Sequence, residues 1–341
     1  MSERKRTRRA RATLVALGLG AVLGSGSASY LLRDPAPRFA ERRSRLVEAA
    51  EEAAPAGDGY RARLVRLRAA SGLEVALAVK EPAPSVADAA EARRPLVVLL
   101  GGTRTGRDAV NLIPETRGAI VAALSYPYSG DTRLKGLAIL AKVPAIRDAV
   151  LDTPPAVMLA LDYLLARPDV DPARVDLVGV SFGAPFVVVA GALDHRVTRV
   201  WSIHGSGESY APLELNVRRK IPFRPASDVI AGLANVIIAG PRLAPEHWVA
   251  RLAPRPFIMV NATDDERMPR SSVDVLFRAA GEPKEQLWVP GHHVRSEAAV
   301  VRPLVELVLD RVVPRAAGTQ HQVAGHPHAT TRQTAPGAGG M

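Results

Sequence analysis

The segment 179–183, with the pattern Gly-x-Ser-x-Gly, constrains this chain most, because it joins two stretches of different character. Residues 174–178 before it form a short β-branched run that predicts a strand, and residues 184–192 after it are apolar and long enough for a buried helix. A chain that turns from strand to helix this sharply needs glycine, since the two backbones pass closely. The pattern therefore predicts a tight turn with the hydroxyl of Ser181 exposed at the carboxyl end of a sheet.

A serine held in such a turn can act as a nucleophile. The backbone amide of Phe182 would then point to the position where an oxyanion forms during attack on a carbonyl group. The same five-residue pattern also occurs by chance, and in that case Ser181 would be an ordinary loop residue. The strand before the pattern and the helix after it favour the functional interpretation.

Apolar runs alternate with helical patterns along most of the chain, which predicts an α/β fold with a mainly parallel sheet and helices on both faces. The predicted strands are residues 95–100, 119–124, 174–178, 199–203, 256–261 and 285–289. The predicted helices of this layer are residues 153–166, 184–192, 271–280 and 295–313. Residues 61–68 and 73–80 alternate in polarity and predict a β-hairpin ahead of them. Ligands of such folds bind at the carboxyl ends of the strands.

The chain divides into four parts on composition. Residues 60–313 carry the α/β pattern, and it is interrupted at about 205–250 by a proline-rich stretch that we expect to form a small lid over the sheet edge. Residues 33–59 are expected to be a stem followed by a charged helix over 39–54. Residues 314–341 lack periodicity and are predicted to be a disordered tail.

The N-terminal residues 1–32 have the pattern of a secretory signal or an N-terminal membrane anchor. Six basic residues in 1–12 precede an uncharged, largely apolar stretch over 12–32. Small residues at 27–29 favour cleavage, whereas about 20 uncharged residues are just long enough to span a bilayer as a tether. In both cases the positive flank stays in the cytoplasm, so we expect the domain to be extracytoplasmic.

Composition excludes several classes of function. The chain has no cysteine, which rules out disulfides and thiolate-bound metals. The net charge of +11 does not indicate a nucleic-acid partner, because much of the excess lies in residues 1–12 and the remainder is dispersed among few aromatic residues. His321, His326 and His328 are too irregularly spaced to predict a metal site.

A nucleophilic serine needs a base and a group that orients the base. In this fold the acid and then the histidine follow the serine in the chain. The strand 256–261 is followed by Asp264 and Asp265, and the strand 285–289 is followed by His292 and His293. Spacing alone does not choose within either pair. His204 ends another strand and is expected either to line the pocket or to be structural.

These motifs resemble those of the α/β-hydrolase superfamily, and within it the dienelactone-hydrolase-like and related bacterial serine esterases, over residues 60–313. The resemblance implies Asp265 as the acid, because Pro269 completes an Asp-x-x-x-Pro turn, and His293 as the base, in a Pro-Gly-x-His pattern. It also implies a second oxyanion donor in a His-Gly-x loop. The chain has glycine at 101 in place of that histidine, followed by Gly102 and by Thr103, whose amide would be the donor.

The expected function is therefore that of a serine hydrolase, with a carboxylic-ester hydrolase favoured. Catalysis would proceed through an acyl-enzyme with a Ser-His-Asp triad, act on a small-molecule ester, and need no metal or organic cofactor. Two alternatives stay open. One is peptidase or thioesterase chemistry on the same fold, and the other is a catalytically inactive, membrane-tethered binding protein. The sequence does not indicate an oligomeric state.

Overall fold

A computed structural model describes residues 34–313 of the 341-residue chain, apart from 58, 84–92, 103–104, 129, 131–140 and 296. Nine strands of this described part form one sheet in the order β1-β2-β3-β5-β4-β6-β7-β8-β9. The strands are β1 Leu46–Gly57, β2 Tyr60–Ala69, β3 Glu74–Pro82, β4 Arg94–Leu100, β5 Ile120–Leu124, β6 Val170–Val180, β7 Arg199–Ile203, β8 Phe257–Ala262 and β9 Lys284–Val289. Strand β2 pairs antiparallel with both β1 and β3, and β4 to β9 are parallel to one another.

Helices cover both faces of the sheet. They are α1 Ala36–Arg43, α2 Val143–Leu165, α3 Ala184–Leu193, α4 Tyr210–Arg218, α5 Arg224–Ile237, α6 Gly240–Leu243, α7 Arg270–Ala279 and α8 Ala298–Val312. One face of the sheet packs against α2, α3 and α7, and the other packs against α8 and the 3-10 helix Gly106–Leu112. Successive residues of each parallel strand point to opposite faces of the sheet, and each face is covered by a hydrophobic core. The sequences of these strands are therefore continuous apolar runs. The predicted α/β sheet is confirmed.

The predicted helix over 39–54 is wrong in its second half. The chain is helical only through α1, and Leu46–Gly57 forms strand β1, which pairs antiparallel with β2. Alanine and glutamate favour a helix only weakly, and tertiary pairing overrides that preference. Here β1 supplies backbone partners to β2, and cross-strand ion pairs join Glu51 to Arg63 and Glu48 to Arg68. The sheet therefore begins at residue 46 rather than 60.

Helix α2 begins earlier than the sequence indicates. The sequence predicts a helix over residues 153–166, yet α2 begins at Val143 and continues through both Pro154 and Pro155. The hydroxyl of Thr153 donates to the carbonyl of Ala149, 2.8 Å away, inside the helix. Interior prolines each remove a hydrogen bond, but from Leu151 to Leu164 this helix is largely buried, and packing offsets the loss.

The predicted insertion at 205–250 holds α4, α5 and α6 between β7 and β8, and parts of it line the cavity at the sheet's carboxyl edge. None of the helices in the described ranges combines the length and apolar character needed to cross a bilayer. The predicted signal or anchor at 1–32 and the predicted tail at 314–341 lie outside the described residues.

Candidate active site

The turn between β6 and α3 holds Ser181 in a strained conformation. Its φ angle is +53°, in the left-handed region that serine rarely adopts. A Cβ at Gly183 would lie 2.1 Å from the carbonyl oxygen of Leu100, and one at Gly179 would lie 2.3 Å from a methyl group of Val187. Both glycines of the motif are therefore required by close contacts, and the predicted tight turn is present.

His293 lies between Ser181 and Asp265. The hydroxyl oxygen of Ser181 is 2.7 Å from Nε2 of His293, within hydrogen-bonding distance. Nδ1 of the same ring is 2.9 and 2.8 Å from the two carboxylate oxygens of Asp265. With the ring proton on Nδ1, facing the carboxylate, Nε2 has its lone pair free to accept the serine proton. The loops after β8 and β9 thus bring Asp265 and His293, which the resemblance implied, to Ser181 in the turn after β6.

The carboxylate of Asp265 is held in its ionised form. Burial by itself would raise its pKa, but interactions with His204 and His293 outweigh that effect and hold the pKa of Asp265 well below its usual range. Its Oδ1 also accepts the backbone amides of Arg267 and Met268, at 2.9 and 3.0 Å. Asp265 therefore organises its own turn as well as facing the imidazole.

The neighbouring residues of each pair point elsewhere. The side chain of His292 is 73% exposed, and its Nδ1 lies 3.2 Å from the carbonyl oxygen of Asp264. The carboxylate of Asp264 accepts a hydrogen bond from Thr263. Geometry thus separates His293 from His292 and Asp265 from Asp264, which the spacing of the sequence did not.

Glu266 is a further site residue that the sequence did not single out. Its Oε2 accepts the backbone amide of His293 at 3.0 Å. This hydrogen bond contributes most to holding the pKa of Glu266 below its usual range. Two consecutive acidic residues therefore hold His293, with Asp265 bound to the ring and Glu266 bound to the backbone.

His204, at the end of β7, is buried against this group of residues. Its Nδ1 accepts the amide of Val294 at 3.1 Å and lies 3.4 Å from Oδ2 of Asp265. His204, Asp265 and His293 are close enough together to suggest a metal site. Nδ1 of His204 and both nitrogens of His293 face hydrogen-bond partners within the protein, whereas Nε2 of His204 is buried with no partner among the described residues.

The loop after β4 lies beside the serine. Gly101 and Gly102 line the same cavity as Ser181 and Phe182, whereas Thr103 lies outside the described residues. The phenol of Tyr126 donates to the carbonyl oxygen of Gly101 at 2.5 Å, and burial raises the pKa of that phenol, which keeps it a donor. The ring of Tyr126 also packs on Phe182, with centroids 5.3 Å apart. Tyr126 thus ties the glycine loop to the serine turn.

A cavity of about 1030 Å³ opens at Ser181. Its wall on the side of the insertion includes Pro212, Leu213 and Ile238. Its lining also includes aliphatic side chains of the sheet and of α8 that belong to the core between them or pack against it, namely Leu99, Val178, Ile203, Leu304 and Val308. The site is therefore a largely apolar pocket that Ser181 lines together with a smaller number of other polar side chains.

Comparison by sequence gives only distant relatives. No protein-family model matches the chain. A protein of Salmonella typhi called "Uncharacterized protein YfhR" is 27% identical over 142 residues, and its counterpart in Salmonella typhimurium is 26% identical over 136 residues. The matched region covers 40% of this chain and 45% of the length of each of these curated relatives.

Comparison by structure shows the fold. Acetyl xylan esterase 1 from Thermoanaerobacterium superposes with a TM-score of 0.57 at 16% identity, covering 82% of this chain and 94% of the esterase. Acetyl xylan esterase from Paenibacillus has the same TM-score and identity, with 80% and 92% covered. A puromycin-hydrolysing peptidase of Mycobacterium tuberculosis has a TM-score of 0.54 at 20% identity, with 74% of this chain and 39% of the peptidase covered. These neighbours share the α/β-hydrolase arrangement of a mostly parallel sheet between helices.

Proposed function

We propose that this chain, whose fold is that of the α/β-hydrolases, is a serine hydrolase that cleaves carboxylic esters through an acyl-enzyme. The observation that carries the proposal is the continuous line of contacts from Ser181 Oγ to His293 Nε2, 2.7 Å, and from His293 Nδ1 to Asp265, 2.8 Å. A serine hydroxyl is a weak nucleophile at neutral pH, and this arrangement supplies the base and the orienting carboxylate that it lacks.

In the first half of the reaction, Ser181 Oγ attacks the carbonyl carbon of the ester while its proton passes to His293 Nε2. The carboxylate of Asp265 stabilises the imidazolium that forms. The negative charge on the carbonyl oxygen falls near the backbone amide of Phe182, and we expect the amide of Thr103 to be the second donor. His293 then gives its proton to the departing alkoxide, and the alcohol leaves.

In the second half, water takes the place of the alcohol. His293 removes a proton from the water as it attacks the acyl carbon, and a second oxyanion forms at the same donors. Collapse of this intermediate returns the proton to Ser181 and releases the carboxylic acid. Apart from this water molecule, every group in these steps belongs to the chain or to the ester.

The pocket favours a substrate with hydrocarbon parts. Aliphatic side chains of the sheet and of α8 form part of its lining, and the wall on the side of the insertion is also mostly apolar. Two of the structural neighbours are named acetyl xylan esterases, which supports ester hydrolysis on this fold. A peptidase is also among the neighbours, and this chain covers 39% of it. The alternatives that the test must separate are therefore peptidase and thioesterase chemistry, and an inactive binding protein.

The experiment is labelling with a fluorophosphonate probe, followed by turnover of p-nitrophenyl esters, thioesters and peptide anilides. We expect the wild type to be labelled and the Ser181→Ala variant not to be. Ser206→Ala is the matched control, because Ser206 lines the same cavity but donates to the sulfur of Met268 rather than facing a base. Equal labelling of Ser181→Ala and wild type would refute the mechanism, and faster turnover of thioesters or peptides would move the activity to that class.

We also propose that the domain is extracytoplasmic, exported or tethered through residues 12–32. The support is the basic segment at 1–12 followed by the uncharged stretch. Protease is added to intact cells and to cells whose outer permeability barrier has been opened. We expect the chain to be cut in intact cells if the domain is external, and only in the opened cells otherwise. The N-terminal residue of the mature protein will distinguish a cleaved signal from a retained anchor.

A further inference from the structure

Helix α5 of the insertion presents its large apolar side chains to solvent and its small side chains to the protein. Ser227, Ala231 and Asn235, four residues apart, are buried. On the opposite side, Val229 and Leu233 are 61% and 60% exposed. A helix that rests on a globular domain ordinarily shows the reverse arrangement.

The exposed residues form one continuous stripe, which we call the outer face of α5. Ile230 and Val236 lie on it beside Val229 and Leu233, each more than two-fifths exposed. Phe223, just before the helix, is 69% exposed and extends the stripe at its N-terminal end. Single exposed apolar residues are ordinary on protein surfaces, but five on one helix and its approach mark a surface that binds something apolar.

Cations border this face where α5 begins. Arg219, Lys220 and Arg224 are exposed, and the carboxylate on the helix itself is Asp228. Neither Lys220 nor Arg224 forms an ion pair with any residue in the described ranges. Arg219 donates to the carbonyl oxygen of Glu266, which fixes this border against the loop that carries Asp265. An apolar stripe edged by cations matches the interface of an anionic lipid bilayer, with hydrocarbon below and phosphate at the edge.

We propose that the outer face of α5 lies on an anionic membrane surface, with Val229 and Leu233 in the acyl region and Lys220 and Arg224 at the headgroups. The proposal rests on the export or tethering proposed above, because residues 12–32 would deliver the domain to a membrane. It adds a second attachment, through a face of the domain itself. α5 belongs to the same insertion that walls the Ser181 pocket, so this docking would bring the pocket to a surface that carries lipid esters.

The test uses the absence of cysteine from the chain, which allows a polarity-sensitive fluorophore to be placed at a single site. The full chain carries Leu233→Cys in one preparation and Arg66→Cys in the control, since Arg66 is exposed on β2. Each is mixed with vesicles of phosphatidylcholine alone or with 30% phosphatidylglycerol, a composition chosen for the assay on the order of cellular anionic lipid content. With the anionic vesicles, we expect the emission of the probe at position 233 to shift to the blue and its fluorescence to be quenched by brominated acyl chains. The emission of the probe at position 66 should not shift.

The contribution of the cations to vesicle binding is measured with the same fluorophore at position 233. Lys220→Gln with Arg224→Gln should raise the lipid concentration for half-maximal shift by roughly thirtyfold, since each cation near an anionic surface contributes about 1 kcal/mol and the two together about 2 kcal/mol. Fluorophosphonate labelling of Ser181 in these preparations reports the catalytic site separately, and co-sedimentation with neutral vesicles reports the N-terminal segment. If Ser181 is not labelled, or if the chain does not bind neutral vesicles, the probe at position 233 still reports whether α5 contacts the anionic membrane.

Three results would overturn the proposal. The first is co-sedimentation of the chain with anionic vesicles while the probe at Leu233→Cys stays in a polar environment. The second is a blue shift without vesicles that grows with protein concentration, which would assign the face to a second copy of the chain. The third is a blue shift without vesicles at all concentrations, which would assign it to a segment of the same chain.

Discussion

The ring of His204 stands edge-on against the ring of His293, with centroids 5.4 Å apart and an angle of 82° between their planes. Because Nδ1 of His204 accepts the amide of Val294, this ring also holds the residue that follows His293 in the chain. His204 also has a φ angle of +50°, an uncommon conformation for a residue other than glycine. His204 is therefore a positioning residue for His293, although it contacts no reacting atom.

We predict that His204→Phe lowers kcat by about tenfold or more and leaves KM nearly unchanged. Phenylalanine preserves the ring contact but leaves the amide of Val294 without its acceptor, which loosens the loop that carries His293. His204→Asn should restore most of the activity, because its side-chain oxygen can take the place of Nδ1. Steady-state kinetics of the three proteins check this. Equal kcat for His204→Phe and wild type would show that the ring only fills space.

The two aspartates provide a matched pair. Asp265→Asn should lower kcat by roughly 10³- to 10⁴-fold, because an amide cannot stabilise the imidazolium and favours the wrong tautomer of His293. Asp264→Asn should leave kcat within about twofold, since Asp264 is exposed and its carboxylate contacts Thr263. Kinetics on one chromogenic ester suffice. If Asp264→Asn proves the more damaging, the acid has been assigned to the wrong residue.

The tight turn at Ser181 predicts an intolerance that ordinary glycine positions lack. Gly183→Ala places a methyl group 2.1 Å from the carbonyl oxygen of Leu100, so β4 and the turn must separate. We expect the free energy of unfolding to fall by about 2 to 4 kcal/mol and most of the proposed ester turnover to be lost. Gly232→Ala, on α5 with no atom within 4 Å of its new methyl, should be neutral or slightly stabilising. Urea unfolding and ester turnover of both variants make the comparison.

A buried ion cluster under the hairpin gives a pH-dependent prediction. Glu81 is bound by Arg63 and Arg167, at 2.6 and 2.5 Å. Burial alone would raise the pKa of Glu81, but the two arginines outweigh it and lower the pKa. Glu81→Gln should lower the free energy of unfolding by about 2 kcal/mol near neutral pH. The loss is smaller than for an isolated buried ion pair, because Arg63 and Arg167 each keep another carboxylate partner.

The pH dependence of that cost follows from the sign of the shift. Since the folded pKa lies below the unfolded value of about 4.3, the ionised side chain stabilises the fold above that value, and the contribution disappears as pH falls through the folded pKa. Unfolding curves at about pH 7, 5 and 3 should therefore show the two proteins converging in acid. Glu48→Gln is the control, since its pair with Arg68 is half exposed and should contribute less than about 1 kcal/mol at any pH. A constant difference for Glu81→Gln across this range would contradict the interpretation.

Much of the sheet could be predicted because its strands are buried on both faces and read as apolar runs. β4, β5 and β8 appear within a residue or two of their predicted positions. β1 could not be predicted, because a solvent-exposed edge strand rich in alanine and glutamate carries no apolar alternation and is specified by pairing with β2. The start of α2 was missed because Thr153 followed by Pro154 is typical of a helix N-terminus, whereas in the fold both residues lie inside a helix stabilised by packing.

At the site, order along the chain predicted which loops meet, and the structure distinguished the adjacent residues within them. His293 differs from His292 in its burial and its contacts, which depend on the path of the loop after β9 and leave no mark on composition. The contribution of Glu266 lies in a hydrogen bond to a backbone amide, and that of His204 in one from a backbone amide. Contacts of this kind give no residue pattern, so no motif could have identified them.

The contact between Gly183 and the carbonyl oxygen of Leu100 joins two parts of the site that are far apart in sequence. Leu100 is the last residue of β4 and is followed directly by Gly101 and Gly102, while Gly183 follows Ser181 by two residues. Leu100 is also in register with Gly179 across the sheet. Ser181 and the glycine loop beside it are thus held by two adjacent strands, β6 and β4, that contact each other at this point. Motion of this sheet edge would move Ser181 and the glycine loop together and preserve the distance between them, whereas His293 lies on the separate loop after β9 and is aligned by Asp265 and Glu266.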